Sequence, residues 1–290
     1  MTETSTSISN VILEATKALQ HAGVPEPSRE AGTLLAHVLG RDRTFVIAHA
    51  EDAIDEASRS KFADCVHRRA QGEPLQYITG YQDFFGLKFH VTPDVLIPRP
   101  ETELLVEATL NLMAQFGDSP QICDIGTGSG CIVVALLQAR VDARAVAVDI
   151  SEAALRIAHL NAVSHRVRER VDFIVSDRFA AMNPSIQHFD LIVSNPPYVS
   201  ASALRGLQRE VRDHEPFIAL SPGTDGLSLI RHLLDKSPEY LKPNGYLIFE
   251  IGFDQGAAVR EMVDRGGWRV LDIQPDLQGI PRIVALQKPS

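Results

Sequence analysis

The fold is decided by the stretch QICDIGTGSGCIVVALLQARVDARAVAVDI, Gln121 to Ile150. An apolar run ends in the glycine-rich loop DIGTGSG, an apolar run of helical length follows, and a second short apolar run ends at an aspartate. Strand, loop, helix and strand in this order are typical of a parallel sheet that is covered on both faces. The stretch therefore predicts an α/β domain whose ligands bind beyond the carboxyl ends of the strands.

The same alternation continues to the C-terminus. EAALRIAHLNAV has the pattern of a further helix, and apolar strands are predicted in VDFIVSD, FDLIVSN, GYLIFEIG, WRVLDIQPD and RIVALQK. The last two strands are separated only by LQGIP, which favours a closing antiparallel hairpin. We therefore expect residues 101–290 to form a mostly parallel sheet domain.

The segment before this domain has a different pattern. Apolar residues recur at helical spacing from Val11, from Ala31 and after Glu56, so residues 1–80 are predicted to be helical. We expect Ser28 to be the N-cap of the second helix and Gly40 to end it. The stretch DFFGLKFHV predicts a hairpin, and PRPETE predicts an extended connector before the next helix, so residues 81–100 are assigned as a hairpin and linker.

Composition limits the class of protein. The net charge is −9, and the segment Met1 to Gly80 carries 8 Lys and Arg against 11 Asp and Glu, which disfavours a nucleic-acid binder. Three scattered cysteines favour reduced thiols over a disulfide framework or a zinc site. Neither a signal peptide nor a run of roughly 18 apolar residues is found, so we expect a soluble cytoplasmic protein without a membrane partner. Nothing in the sequence demands more than a monomer.

The loop DIGTGSG is a candidate ligand loop. Glycines at 126, 128 and 130 let the backbone turn tightly and approach a ligand, although a strand-to-helix turn without a ligand is the alternative. Asp149 ends the next strand, where an acid can accept hydrogen bonds from both ribose hydroxyls of an adenosine-containing ligand. The competing interpretation makes Asp149, or Ser151, a simple helix N-cap.

The stretch SNPPYVS ends another predicted strand at the same edge of the sheet. Rigid prolines would hold the Asn195 side chain and the Pro196 carbonyl in fixed directions, so that two acceptors converge on one NH2 group. Tyr198 offers a flat face for a planar group. Methyl transfer to an amide or amine fits this arrangement, because positioning and electrostatics can carry it without a metal. The alternative is a rigid turn only.

These motifs, together with EPLQYITGYQDFFGLKFHVTPDVLIPRPETE and FEIG, resemble the release factor glutamine methyltransferases, the PrmC/HemK family of class I S-adenosyl-L-methionine-dependent enzymes. The resemblance covers nearly the whole chain from about Glu73. It implies a Rossmann-like seven-stranded, mostly parallel sheet with an antiparallel C-terminal hairpin, preceded by a small helical substrate-docking domain. The implied reaction methylates the glutamine amide of the Gly-Gly-Gln motif in bacterial class 1 release factors and yields S-adenosyl-L-homocysteine.

The resemblance also implies roles for individual residues. Asp149 would hold the ribose, and Asn195 and the Pro196 carbonyl would hold the substrate amide, with Pro197 and Tyr198 packing on it. Family members often have an aromatic residue where this chain has Arg178, which is expected over the adenine face or turned outward. The implied cofactor site comprises Asp124, Gly126, Thr127, Gly128, Ser129, Gly130, Asp149, Asp177, Arg178, Phe179 and Asn195.

The connector PRPETE has two interpretations. Arg99, Glu101 and Glu103 either close the cofactor pocket and orient the substrate loop, or supply capping charges to the following helix. Glu250 in FEIG is expected to be structural or to support a residue that contacts the ligand, and the histidines at 90, 159 and 214 show no metal spacing. No metal is expected.

Three other functions compete with the release-factor reaction. A glutamine methyltransferase of a ribosomal protein would share NPPY, but the connector PRPETE favours the release factor. An adenine-amino methyltransferase of DNA or RNA would need a basic groove for a flipped base, which the acidic composition does not offer. A non-catalytic binder is disfavoured by the combination of an intact NPPY and an intact glycine loop.

Overall fold

A computed structural model describes residues 6–223 and 225–288. It divides into two compact units, one formed by the chain up to Gly80 with Gln208–His214 and the other by Tyr81–Leu207 with Glu215 onward. The helices are α1 (Ile8–His21), α2 (Pro27–Leu39), α3 (Arg43–Ala48), α4 (Glu56–Ala70), α5 (Leu75–Thr79), α6 (Glu103–Met113), α7 (Cys131–Ala139), α8 (Glu152–Ser164), α9 (Arg209–His214), α10 (Phe217–Leu220), α11 (Ser228–Tyr240) and α12 (Gly256–Arg265). The strands are β1 (Tyr81–Phe84), β2 (Leu87–His90), β3 (Gln121–Ile125), β4 (Arg144–Asp149), β5 (Val171–Val175), β6 (Phe189–Ser194), β7 (Leu241–Glu250), β8 (Arg269–Pro275) and β9 (Pro281–Gln287).

The first unit is helical, as predicted. Its core is formed by buried apolar residues from α1, α2 and α4, among them Leu19, Leu34 and Phe62. The predicted cap of α2 is wrong: the helix begins at Pro27, after Glu26, because the fixed φ of proline suits the first helical position and the missing N–H costs nothing there. Gly40 ends α2 in the left-handed conformation, as predicted.

A distant segment completes the helical unit. Helix α9 follows β6 in sequence but clusters with the helices before Gly80. Arg69, which is 5% exposed, pairs with Glu30 at 2.5 Å and with Glu210 of α9 at 2.8 Å. Its guanidinium also donates to the Glu73 carbonyl at 3.2 Å. The buried cation thus joins α2, α4 and α9.

The second unit contains the predicted seven-stranded sheet. The strand order is β5-β4-β3-β6-β7-β9-β8; β3 to β7 run parallel, and β9 is antiparallel to both of its neighbours. Alternate side chains enter two cores: α6 and α7 pack on one face, and α11 and α12 pack on the other. The strands are apolar on both sides because both faces are covered. The predicted C-terminal hairpin, β8 and β9, is confirmed.

The hairpin predicted in DFFGLKFHV consists of β1 and β2. Its two turn residues, Phe85 and Gly86, have φ of 50° and 71°, the backbone of a turn that matches the twist of two strands. Phe84 and Phe89 make an edge-to-face contact within the core that lies under α6 and α7. The hairpin therefore belongs to the same unit as the sheet.

None of the helices in residues 6–223 and 225–288 is long and apolar enough to cross a membrane. Cys65, Cys123 and Cys131 are buried as free thiols.

Candidate active site

A cavity of about 360 Å³ lies beyond the carboxyl ends of β3, β4 and β6. After β3 the chain continues to β4 and β5 on one side and returns as β6 on the other, so the cavity occupies the point where the strand order reverses. The side chains or backbone of Gly126, Asp149, Asp177 and Asn195 line it. The structure thus brings together the glycine loop, the acid after β4 and the NPPY motif.

The glycine loop presents an open inner side to the cavity. The N–H groups of Gly126 and Thr127 donate to the Val148 carbonyl, which fixes the loop against β4. A Cβ at Gly128 would meet no atom within 4 Å, whereas a Cβ at Gly130 would lie 3.0 Å from that of Ala158. Gly128 therefore leaves room for a ligand, and Gly130 permits close packing of the loop on α8.

Asp149 joins the glycine loop to the start of α8. Its carboxylate accepts hydrogen bonds from the backbone N–H of Gly128 and of Ser151, both at 2.9 Å. Ser151 is the N-cap of α8, since its hydroxyl accepts from the Ala154 N–H at 3.1 Å. Burial raises the pKa of Asp149. Each carboxylate oxygen keeps a second lone pair with which it can accept a hydrogen bond from a ligand hydroxyl.

Asp124 supports the same loop from below. It is fully buried, and its Oδ2 accepts a hydrogen bond from the Thr127 hydroxyl at 2.7 Å. Its Oδ1 has no hydrogen-bond partner among the described residues. Ser129 is buried as well, and its carbonyl accepts from the Asn161 side-chain amide at 2.8 Å. Asn161 also exchanges hydrogen bonds with the backbone of His90 in β2, so it ties the loop to the hairpin.

The segment after β5 lines another part of the cavity. Arg178 lies there with a φ of 56° and donates two hydrogen bonds to the Asp177 carboxylate, at 2.7 and 2.8 Å. The hydrogen bonds from Arg178 lower the pKa of Asp177. Phe179 is placed differently from the expectation: its ring is 3% exposed and stacks on Tyr240 within the core, because the chain turns inward after Arg178. Phe179 supports this segment from below.

The NPPY motif leaves β6 at the cavity. Asn195 and Pro197 line it, and Pro196 is buried. The Tyr198 hydroxyl donates to Glu250 Oε1 at 3.2 Å, and burial followed by the charge of Glu250 raises the pKa of the tyrosine. Tyr198 is thus anchored at its hydroxyl and is not poised as a base.

The charged residues of the connector PRPETE lie in three different environments. Arg99 lines the cavity and pairs with Glu215 at 2.5 Å, and Glu215 also accepts from the Ile97 N–H. Glu103 accepts a hydrogen bond from the Phe85 N–H at 2.7 Å, so it fixes the turn of the hairpin. Glu101 is exposed. Of the three predicted residues, Arg99 is therefore the one at the cavity wall.

Several residues that support the site were not predicted. The Thr102 hydroxyl accepts a hydrogen bond from the Asn195 side chain and donates one to Glu250. Burial raises the pKa of Glu250. Gln255 donates to the carbonyls of Tyr198 and Gly226 and so holds the loop that follows β6. Their contacts join segments far apart in the chain, and no local pattern signals them. Within the part of the chain that the structure describes, no cluster of His, Cys, Asp and Glu is suited to a metal ion.

Comparison with known proteins adds independent findings. Residues 10–80 match the PrmC N-terminal domain, and residues 100–211 match the methyltransferase small domain. The chain is 42% identical over 276 residues to a release factor glutamine methyltransferase of Koribacter versatilis, covering 95% of this chain and 96% of the relative. It is 40% identical to one of Cereibacter sphaeroides with the same coverage. The crystal structure of a methyltransferase from Pyrococcus furiosus aligns with a TM-score of 0.51 at 16% identity, over 79% of this chain and all of that one, and shows the fold alone.

Proposed function

Because the chain belongs to the family of release factor glutamine methyltransferases, we propose that it methylates the glutamine side-chain amide in the Gly-Gly-Gln motif of class 1 release factors, with S-adenosyl-L-methionine as the methyl donor. The observation that carries the proposal is the meeting of Asn195 with the glycine loop and Asp149 in one cavity. Under this proposal, acceptors for an amide lie beside a site suited to an adenosine-containing ligand.

The residues of the cavity fit the proposed cofactor. A volume of about 360 Å³ is in the ordinary range for a small-molecule site. Gly128 leaves the loop surface open for the methionine part, and Asp149 has acceptor capacity for the ribose hydroxyls. Asp177 and Arg178 form the wall where the adenine would lie.

When bound, the cofactor supplies a sulfonium methyl group that passes to the amide nitrogen, the electron pair of the broken S–C bond stays on sulfur, and one amide proton leaves to solvent. The chain's own part is to hold the glutamine. Asn195 Oδ1 and the Pro196 carbonyl would accept the two amide protons, which returns electron density to a nitrogen whose lone pair is delocalised into its carbonyl. Positioning and electrostatics then carry the step.

Two further proposals follow from this reaction. All groups in the proposed mechanism come from one chain, so we expect a monomer to be sufficient. Release factors act on ribosomes in the cytoplasm, and the proposed reaction would take place there.

The experiment is a transfer assay with tritium-labelled S-adenosyl-L-methionine and three acceptors: a purified class 1 release factor, ribosomal protein and DNA. We expect label on the release factor only, and no label when its Gly-Gly-Gln glutamine is replaced by glutamate. Label on ribosomal protein or DNA without label on the release factor would reject the proposal in favour of the corresponding alternative. Asn195→Ala should abolish transfer and leave S-adenosyl-L-homocysteine binding largely intact; loss of binding would assign Asn195 a structural role instead.

A further inference from the structure

A series of hydrogen bonds connects Asn195 through Thr102, which also lines the cavity, to the buried Glu250. Asn195 Nδ2 donates to Thr102 Oγ1 at 3.0 Å, and the Thr102 hydroxyl donates to Glu250 Oε2 at 2.7 Å. The other oxygen of Glu250 accepts from the Tyr198 hydroxyl at 3.2 Å. Thr102 and Glu250 are 2% and 1% exposed, so water does not compete for these contacts.

The number of protons available to these hydrogen bonds fixes which group donates and which accepts. A threonine hydroxyl has one proton, and that of Thr102 is given to Glu250, which accepts from Thr102 at one carboxylate oxygen and from Tyr198 at the other. The Thr102 oxygen can therefore only accept from Asn195, which must present its NH2. If the Asn195 amide were turned over, two buried oxygens would face each other without a proton between them, and that arrangement is disfavoured.

We propose that Thr102 and Glu250 are positioning residues that lock the Asn195 amide with Oδ1 toward the substrate. This inference rests on the proposed function and deepens it, because a substrate NH2 group needs acceptors and is repelled by a second NH2. An Asn195 side chain free to turn over would present its own NH2 for part of the time. Thr102 and Glu250 thus determine, through the orientation of Asn195, that the site accepts a donor amide.

The chain offers a matched control for the loss of a threonine hydroxyl. Thr109 is as buried as Thr102 and lies on α6, directly after the connector, but its hydroxyl donates to the Leu105 carbonyl of its own helix at 2.6 Å. Thr109→Val and Thr102→Val therefore remove the same group from the same neighbourhood. The two changes differ in that Thr102→Val also takes the acceptor from Asn195 and the donor from Glu250.

The first test is steady-state methyl transfer to a Gly-Gly-Gln release factor. Thr102→Val should lower kcat by about tenfold or more, the factor expected for one lost hydrogen bond to a buried partner. Thr102→Ser keeps the hydroxyl and should restore kcat to near the wild-type value, and Thr109→Val should leave it near wild type. The Kd of S-adenosyl-L-homocysteine should stay unchanged in all three. Equal kcat in Thr102→Val and Thr109→Val would overturn the inference.

The second test does not depend on activity. The side-chain NH2 of Asn195, assigned by its loss in Asn195→Ala, can be followed by NMR for the rate at which its protons exchange with water. We expect slow exchange in the wild type and in Thr102→Ser, and exchange about tenfold or more faster in Thr102→Val. Should the wild type fail to methylate the release factor, the proposed function falls, and this measurement decides the orientation alone. Equal exchange rates in the wild type and Thr102→Val would overturn the inference that Thr102 fixes the orientation of the Asn195 amide.

Discussion

Asp124 is fully buried at the end of β3, with one oxygen bonded to Thr127 and the other without a partner among the described residues. Burial raises its pKa from 3.8 to about 7, although the Thr127 hydroxyl acts in the opposite direction. An acid that binds its proton more tightly in the folded state stabilises the fold at low pH. That contribution is fully present below the unfolded pKa and is lost as pH rises through about 7.

Asp124→Asn should therefore raise the free energy of unfolding of the ligand-free protein, relative to the wild type, by more at pH 8 than at pH 5. The variant carries no charge to desolvate, so its advantage over the wild type should grow by about 3 kcal/mol between these pH values. Denaturant unfolding followed by the fluorescence of Trp268, the single tryptophan, reports the sheet unit. Asp142, whose pKa is lowered to about 2 by Arg140, supplies the control: the effect of Asp142→Asn should be nearly equal at both pH values. A pH-independent effect of Asp124→Asn would contradict the prediction.

Arg178 lies in the cavity wall and orients Asp177 through two hydrogen bonds. Arg178→Ala should weaken S-adenosyl-L-homocysteine binding by about threefold, a small effect because the pair is partly exposed to solvent. Titration calorimetry measures this difference. Arg212 makes the same kind of pair with its neighbour Asp213 on α9, so Arg212→Ala should bind like the wild type. Wild-type affinity in Arg178→Ala would show that Arg178 has no part in the cofactor site.

At the scale of the element, the loop after β6 is held in place by its neighbours. Gln255 donates to the carbonyls of Tyr198 and Gly226 at 3.2 and 3.0 Å, and its own carbonyl accepts from the Gly252 N–H at 2.9 Å. Gly226 has a φ of 73°, and a Cβ there would overlap the Tyr198 carbonyl oxygen. Any side chain at Gly226 would therefore displace the loop that follows the prolines of the motif.

Gly226→Ala should lower kcat for methyl transfer by about tenfold or more, because a shift of the loop moves Asn195 out of the geometry needed for reaction. Gly267 has a similar φ of 67°, but a Cβ there would meet no atom within 4 Å. Gly267→Ala therefore controls for backbone strain alone and should keep kcat near wild type. If both variants lose activity equally, contact with the loop is not the cause.

The elements of the fold were predictable because their patterns are local. The seven strands, the hairpin in DFFGLKFHV and the end of α2 at Gly40 follow from apolar runs and glycines. The cap of α2 was wrong because Ser28 lies inside a helix that starts at proline. A structural or supporting role was expected for Glu250, but its contact with Thr102 was not predictable, because the two residues are 148 positions apart and only the folded sheet brings them together.

At the scale of the whole molecule, the helical unit is not a contiguous segment of the chain. Residues 208–214 belong to it, and Arg69 binds this segment through Glu210. The prediction of a domain formed by residues 1–80 could not include α9, because α9 joins the helical unit through contacts between residues far apart in the chain, among them the ion pair of Arg69 and Glu210.

Arg69→Met should loosen the helical unit, because it leaves Glu30 and Glu210 without their shared cation. We expect amide hydrogen exchange in α4 and in residues 208–214 to rise by about tenfold or more. Arg29 pairs with Glu26 at an exposed position of the same unit, and Arg29→Met should leave exchange unchanged. Wild-type protection of residues 208–214 in Arg69→Met would show that Arg69 does not hold this segment.

In the proposed reaction, fixed acceptors at Asn195 and Pro196 hold one glutamine amide beside the cavity. The most direct measurement is tandem mass spectrometry of a release factor incubated with the protein and S-adenosyl-L-methionine, which locates the added methyl group. We predict a single methyl on the side-chain nitrogen of the Gly-Gly-Gln glutamine, and none with Asn195→Ala. A methyl group on any other residue, or on the glutamine at an undiminished rate with Asn195→Ala, would contradict it.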